Sequence, residues 1–261
     1  MSSQLAQSLK FVGPLGALAR PVIVATILFG LWRALSSTRI SVRSRTVAWW
    51  SAAVFILAWL GAVWTFAARG TFASFSGGSP VGEVTVLLVV LAGIVAVALT
   101  SVGRSGSMRS AIRTAPLSWL IGVQVYRILG FIFLRLWSRG LLPGYFALPA
   151  GIGDILVGVT ALPLALSIRS NSRLSRRLAL AWNMFGILDL VNALTMGVTS
   201  ILAQPSTAVY PLLIYPLAMV PMFGVPLALI LHSLSIWQLR RRLTAGPEGS
   251  RGTDRLHTEL A

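Results

Sequence analysis

Seven apolar runs, separated by short polar gaps, constrain this chain more than any other feature. They fall at residues 15–35, 47–68, 81–102, 116–137, 147–168, 180–202 and 209–237. Each is close to the ~20 residues an α-helix needs to cross the hydrocarbon core of a bilayer. Lipid offers backbone amides no partner, so each run must satisfy its own hydrogen bonds as a helix. The expected fold class is all-α: a polytopic integral membrane protein forming a single seven-transmembrane-helix bundle.

Composition agrees. With 56% hydrophobic and 11% charged residues and a mean hydropathy of +0.80, the 261 residues exceed ordinary globular usage. The net charge of +16 would suggest nucleic acid if the Arg residues lined one face of a soluble fold. They collect instead between the apolar runs, so the expected partner is the lipid bilayer, with no nucleic acid. Lys10 is the only lysine among 22 basic residues, a bias of GC-rich bacterial coding. The absence of cysteine excludes disulfides, thiolate chemistry and Cys-based metal sites. Two histidines, one of them in the C-terminal tail, do not make a bis-His haem or a His-rich site. Neither cofactor nor metal is expected.

Arg residues also set the expected orientation, because loops rich in Arg or Lys stay cytoplasmic. Arg33, Arg39, Arg43 and Arg45 mark the first gap; Arg104, Arg109 and Arg113 mark the third; Arg169, Arg173, Arg176 and Arg177 mark the fifth. Arg240, Arg241 and Arg242 follow the last run. The alternate gaps hold only Arg69 and Arg139. The N-terminus is therefore expected outside and the C-terminus in the cytoplasm of a multi-pass cell-membrane protein. Trp32, Trp49, Trp50, Trp119, Trp182 and Trp237 fall near the same predicted boundary, where Trp favours the headgroup level.

The domain reading is a polar, interfacial segment at 1–14, the transmembrane domain at 15–243 and a disordered cytoplasmic tail at 244–261, rich in Gly, Pro and charge. Ala17, Leu18 and Ala19 precede the apolar run from Val22 to Leu31, the reverse of a signal peptide, so that run counts as the first span. Outer connections carry turn formers, Gly77, Gly78, Ser79 and Pro80, then Pro143 and Gly144. Glu83 suits the positive end of a helix dipole.

Polar side chains inside the runs single out a candidate site. An Arg or Asp at mid-membrane costs about 2.5–3.5 kcal/mol on insertion scales, so such groups face inward and seek partners. Gln124, Arg127, Asp154, Asp189 and Asn192 are the expected substrate- or ion-binding residues. In the fourth run Leu120, Gln124, Arg127, Phe131 and Leu134 recur at helical steps. In the fifth, Ala147, Gly151, Asp154, Gly158, Ala161 and Ala165 form a seam that is small except for the acid, which lets backbones approach. In the sixth, Trp182, Phe185, Asp189, Asn192 and Met196 share a face. Gly151-Ile152-x-Asp154 resembles Gly186-Ile187-x-Asp189, a match too short to establish an inverted repeat.

In the last run Pro211, Pro216, Pro221 and Pro226 recur every five residues and must bend or break the helix; a gating role is the functional expectation. Freed carbonyls there need protein or water as a partner. His232 reads as an interfacial residue near the cytoplasmic end.

Motifs for other activities are missing. A retinal protein needs a Lys in the last span, and no His-Glu-x-x-His, paired-Asp protease or Gly-Lys-Ser phosphate motif occurs. No enzyme is expected. Two functions stay open: a small-solute or proton-linked permease using the Arg/Asp cluster, or a non-transporting membrane subunit or sensor in which the cluster is structural. In the second, Arg-rich loops dock anionic lipid or a cytoplasmic protein. Oligomeric state is not legible.

Overall fold

The computed structural model describes residues 3–74, 80–170, 172–203 and 209–244, and those residues are helical with short connections. The turn formers Gly77, Gly78 and Ser79 and the tail beyond Thr244 lie outside them, as does the side chain of Glu83. Helix α1 (Ser3–Ser36) carries the N-terminal segment and the first span as one helix, with Pro14 and Pro21 inside it. Helix α2 (Val42–Ala68) starts at Ser41, whose hydroxyl accepts the amide of Ser44. A single turn, α3 (Thr71–Ser74), precedes α4 (Pro80–Arg104). The third gap then forms a short amphipathic helix, α5 (Gly106–Thr114), capped by Ser105 and burying Ala111 and Ile112.

The fourth span is α6 (Leu117–Gly122) and α7 (Phe131–Ser138) joined by a 3₁₀ stretch, Val123–Gly130. Helices α8 (Gly144–Ser167), α9 (Arg173–Ala203) and α10 (Val225–Thr244) complete the bundle. Seven segments are long and apolar enough to cross a membrane: Lys10–Ser36, Val42–Ala68, Val84–Arg104, Leu117–Ser138, Gly144–Ser170, Arg173–Ala203 and Val220–Arg241. Large apolar side chains such as Phe29, Leu57, Val89, Leu162 and Leu188 point outward from five different spans. Apolar residues all around a helix are what a lipid solvent permits.

Alternating helices gather the Arg-rich connections at one end. There Thr114 donates to the Ala34 carbonyl at 3.2 Å, and Gln238 of α10 donates to the carbonyls of Ile112 at 2.9 Å and Ala115 at 2.6 Å. Trp49 donates to Leu28 O at 3.0 Å and meets Trp32 and Trp50 edge-on, so three of the boundary tryptophans form one cluster. The opposite end is tied by Tyr145 to Ser200 at 2.9 Å and by Arg135 over the Phe11 ring at 4.5 Å.

The centre is the fourth span against α8. Among the buried residues of the fourth span one line recurs in steps of three: Ile121, Gln124, Arg127, Gly130, Phe133 and Leu136. That is the eclipsed spacing of a 3₁₀ helix, about three residues per turn. The expected seam through Phe131 and Leu134 is corrected on this point, since both are only half-buried while Phe133 and Leu136 take the interior. On α8 the small seam packs inward as its spacing predicts, with Ala147, Gly151, Gly158, Ala161 and Ala165 all buried. A Cβ on Gly158 would collide with the backbone of Ile128, and one on Gly130 with Asp154. The two backbones are therefore in contact where the 3₁₀ stretch passes.

The last span is corrected at its start. In place of a bent helix from residue 209 there is a 3₁₀ turn, Tyr210–Leu213, a turn through 214–218, and a π-helical turn, Val220–Gly224, which runs into α10. Pro226 lies in the first turn of α10, where its missing amide is tolerated. The exposed carbonyls of this broken stretch are met by other helices. Met222 O accepts from Trp59 Nε1 at 3.2 Å, Gly224 O from the Tyr126 hydroxyl at 3.3 Å, and Pro216 O from Arg20 Nη2 at 3.0 Å.

Candidate functional site

Arg127 is the hub. The 3₁₀ stretch stacks it one turn above Gln124, and it is 3% exposed. Its Nε donates to Asp154 Oδ1 on α8 at 2.6 Å, its Nη2 to Asp189 Oδ2 on α9, and its Nη1 to the Gly186 carbonyl at 3.4 Å. The guanidinium fork thus addresses two carboxylates on two helices through separate nitrogens, the geometry that distinguishes Arg from Lys. Glycines make room for it. A Cβ on Gly153 would strike the Asp189 carboxylate, and one on Gly186 the His232 ring.

His232 is corrected from an interfacial residue to a fully buried member of the cluster. Its Nε2 lies 3.1 Å from Arg127 Nη1 and its Nδ1 lies 2.9 Å from Asn183 Oδ1. A guanidinium nitrogen only donates, so Nε2 accepts and the ring proton sits on Nδ1, where it is donated to Asn183. Asn183 in turn donates its amide to Ala179 O at 2.7 Å, which fixes its orientation. The chain Arg127, His232, Asn183, Ala179 runs from the fourth span through α10 to α9 with each donor matched to an acceptor.

Two expected members stand apart. Gln124 is fully buried, but its amide donates to Ala228 O of α10 at 3.4 Å, its Oε1 has no partner, and it does not touch the acids. Asn192 is exposed and outside the cluster. Each residue turns a helix by about 100°. Three steps back from Asp189 therefore rotate one way, to Gly186 and on to Asn183, and three steps forward rotate the other way, to Asn192. The buried line on α9 is Ser175, Ala179, Asn183, Gly186 and Leu190, with Asp189 at its edge. Phe185, expected inside, is 44% exposed. Helix α9 is thus turned so that its smaller residues face the bundle.

Cavities reach the acids from the Arg-poor side. One, of about 110 Å³, is bounded by Arg20, Tyr126, Arg127 and Asp154 with apolar walls from α1 and the broken stretch, including Val12 and Phe223. A second, of about 70 Å³, touches Asp154 and Asp189 and is walled by Phe146, Ile201 and Leu212. Toward the Arg-rich end Leu120, Ile121, Ala179, Leu231 and Leu239 are each at most 3% exposed, and a cavity of about 590 Å³ against Leu120 and Leu231 is lined by neither acid nor by Arg127. Arg20, which no periodicity singled out, is 8% exposed, and its Nη1 has no partner among the described residues.

A family model described as "Domain of unknown function (DUF8737)" matches residues 84–240, more than half of the chain. The chain belongs to that family. The matched region holds Arg127, Asp154, Asn183, Asp189 and His232, while Arg20 lies ahead of it. No curated protein and no solved structure matches the chain.

Proposed function

We propose that this member of the DUF8737 family is a small-solute or proton-linked permease, not an enzyme, whose working groups are Arg127, Asp154 and Asp189. The observation that carries this reading is the pair of cavities that bring space from one end of the bundle onto both acids, while the cavity at the other end is lined by neither acid nor by Arg127. With His232 neutral, one guanidinium and two ionised carboxylates sum to −1. Uptake of one proton brings the cluster to neutrality and releases an edge of Arg127 from the acid that takes it. Asp154 and Asp189 are the proton or cation sites, and Arg127 is their counter-ion.

The same proposal places the N-terminus outside and the C-terminus in the cytoplasm of the cell membrane, so that the cavities face outward. Pro211, Pro216, Pro221 and Pro226 break the segment that walls the 110 Å³ cavity, and movement of that segment would open or close the route. The test is proton-coupled flux in vesicles reconstituted with the pure protein. Asp189→Asn is expected to abolish it, and flux equal to the parent would remove that residue's role.

A second reading has its own support. Each nitrogen of Arg127 already has an acceptor, as in a network that fixes helix register. The amphipathic α5, with Arg109 and Arg113 exposed, suits a surface that docks anionic lipid or a cytoplasmic protein. In that case the chain is a non-transporting subunit or sensor, and vesicles carrying it pass no protons above the empty control.

A further inference from the structure

Among the described residues Arg20 is a buried cation without an acid beside it. Its relative exposure is 8%, its Nη2 is spent on the Pro216 carbonyl at 3.0 Å, and its Nη1 has no acceptor among the described residues. Both acids of the described spans are committed to Arg127. A guanidinium held away from water without a counter-ion is among the most unfavourable arrangements a bundle can hold, unless something anionic joins it.

The position of Arg20 is built rather than incidental. The side chain folds back toward the start of α1, as long side chains on a helix do, and lies over Gly16. A Cβ there would stand 2.6 Å from Nη2 and 3.4 Å from Nη1. On the other side the Tyr215 ring lies 5.8 Å from the guanidinium carbon. Arg20 thus sits between a glycine and the broken stretch before α10, in the wall of the 110 Å³ cavity that also touches Arg127 and Asp154.

The remaining walls are hydrocarbon: Val12, Ile23, Leu129, Phe133 and Phe223 among them. A chamber with room for several waters, in which Arg127 and Asp154 are paired with each other and the other walls are mostly apolar, is a poor host for a strongly hydrated ion. It suits an anion that carries its own apolar body. We propose that Arg20 and this cavity form a binding site for a short-chain aliphatic monocarboxylate, the carboxylate accepting from the free Arg20 edge and the alkyl part lying toward Phe223. The inference rests on the permease reading of the same cavity, and makes the solute a small organic acid moved with the proton taken by Asp154 or Asp189. Arg20 and the bound carboxylate then neutralise each other, leaving the balance of the Arg127 cluster to its own acids.

Binding can be measured without transport. The full-length protein in detergent micelles is titrated with butyrate by calorimetry, alongside chloride, butyramide and butylamine. Butyrate is expected to bind, chloride at least tenfold more weakly, and the amide and amine not at all. Arg20→Gln is expected to weaken butyrate at least tenfold. Gly16→Val, which keeps the guanidinium but displaces it, should do the same, and Arg20→Lys should retain part of the affinity. If Arg20→Gln fails to fold, Gly16→Val and Arg20→Lys decide. No butyrate binding, binding unaffected by the Arg20 and Gly16 variants, or chloride bound as tightly as butyrate would overturn the proposal. Proton flux lost in Asp189→Asn but insensitive to butyrate would leave the permease reading standing and remove only this solute.

Discussion

Trp59 donates its indole N–H to the carbonyl of Met222, 3.2 Å away, and that carbonyl is the one Pro226 deprives of its helical donor four residues on. Two changes far apart in sequence should therefore compensate. Trp59→Phe alone leaves a buried carbonyl unmet and is expected to lower stability by about 1 kcal/mol. In a Pro226→Ala background the restored amide supplies a donor, and the effect of Trp59→Phe should shrink to its packing part. Thermal unfolding of the four proteins in one detergent closes the cycle; strictly additive midpoints would show that the indole and the proline do not share this carbonyl.

Removing the hub should damage the bundle more than removing either acid. Arg127→Ala strands the buried Asp189 and the partly buried Asp154, an effect of about 3–5 kcal/mol when a buried pair loses one partner. Asp154→Asn keeps an oxygen to accept from Arg127 Nε and leaves Asp189 paired, so its midpoint should lie near the parent. Equal losses for the two variants, read as the monodisperse fraction after heating, would contradict the shared fork.

The His232 chain should behave as a unit. His232→Ala and Asn183→Ala each break the same hydrogen-bonded path, and each is expected to remove about 1–2 kcal/mol. The double variant should lose less than the sum, because the second change finds the path already broken. Full additivity in thermal midpoints would argue that Asn183 does not orient the imidazole.

Contact between α8 and the 3₁₀ stretch predicts a sharp difference between glycines. Gly158→Ala drives a methyl into the Ile128 backbone and is expected to cost about 1–3 kcal/mol. Gly93 of α4 has open space around it, so Gly93→Ala should be neutral or slightly stabilising through helix propensity. Similar midpoints for both variants would mean that the close approach is not maintained.

What the sequence made legible follows from what charge demands. Arg127, Asp154 and Asp189 had to meet, because none could face lipid alone, and the small seam of α8 gave the side on which they would do so. His232 was missed because residues 209–219 read as helix, which places His232 near the end of its span instead of inside α10, and Asn183 because its role is set by that ring. A different cause misplaced Asn192: hydropathy treats Asp189 and Asn192 as one polar face, whereas the packing of Gly186 and Ala179 turns α9 the other way. Arg20 stood before the apolar run from Val22 to Leu31 and drew no attention, since its place depends on Gly16 beneath it and on Pro216, 196 residues away. The proline spacing announced a break, but the kind of break is decided by donors on α1, α2 and the fourth span.

The eight residues of the 3₁₀ stretch rise about 2.0 Å each instead of 1.5 Å. Rewound as an α-helix, they would shorten the fourth span by roughly 4 Å and swing α7 by roughly 160° relative to α6. Such a screw motion would pull Phe133 and Leu136 out of the interior at once. The segment that bears Arg127 is therefore held as a fixed axle, and any working stroke has to come from the helices that turn around it.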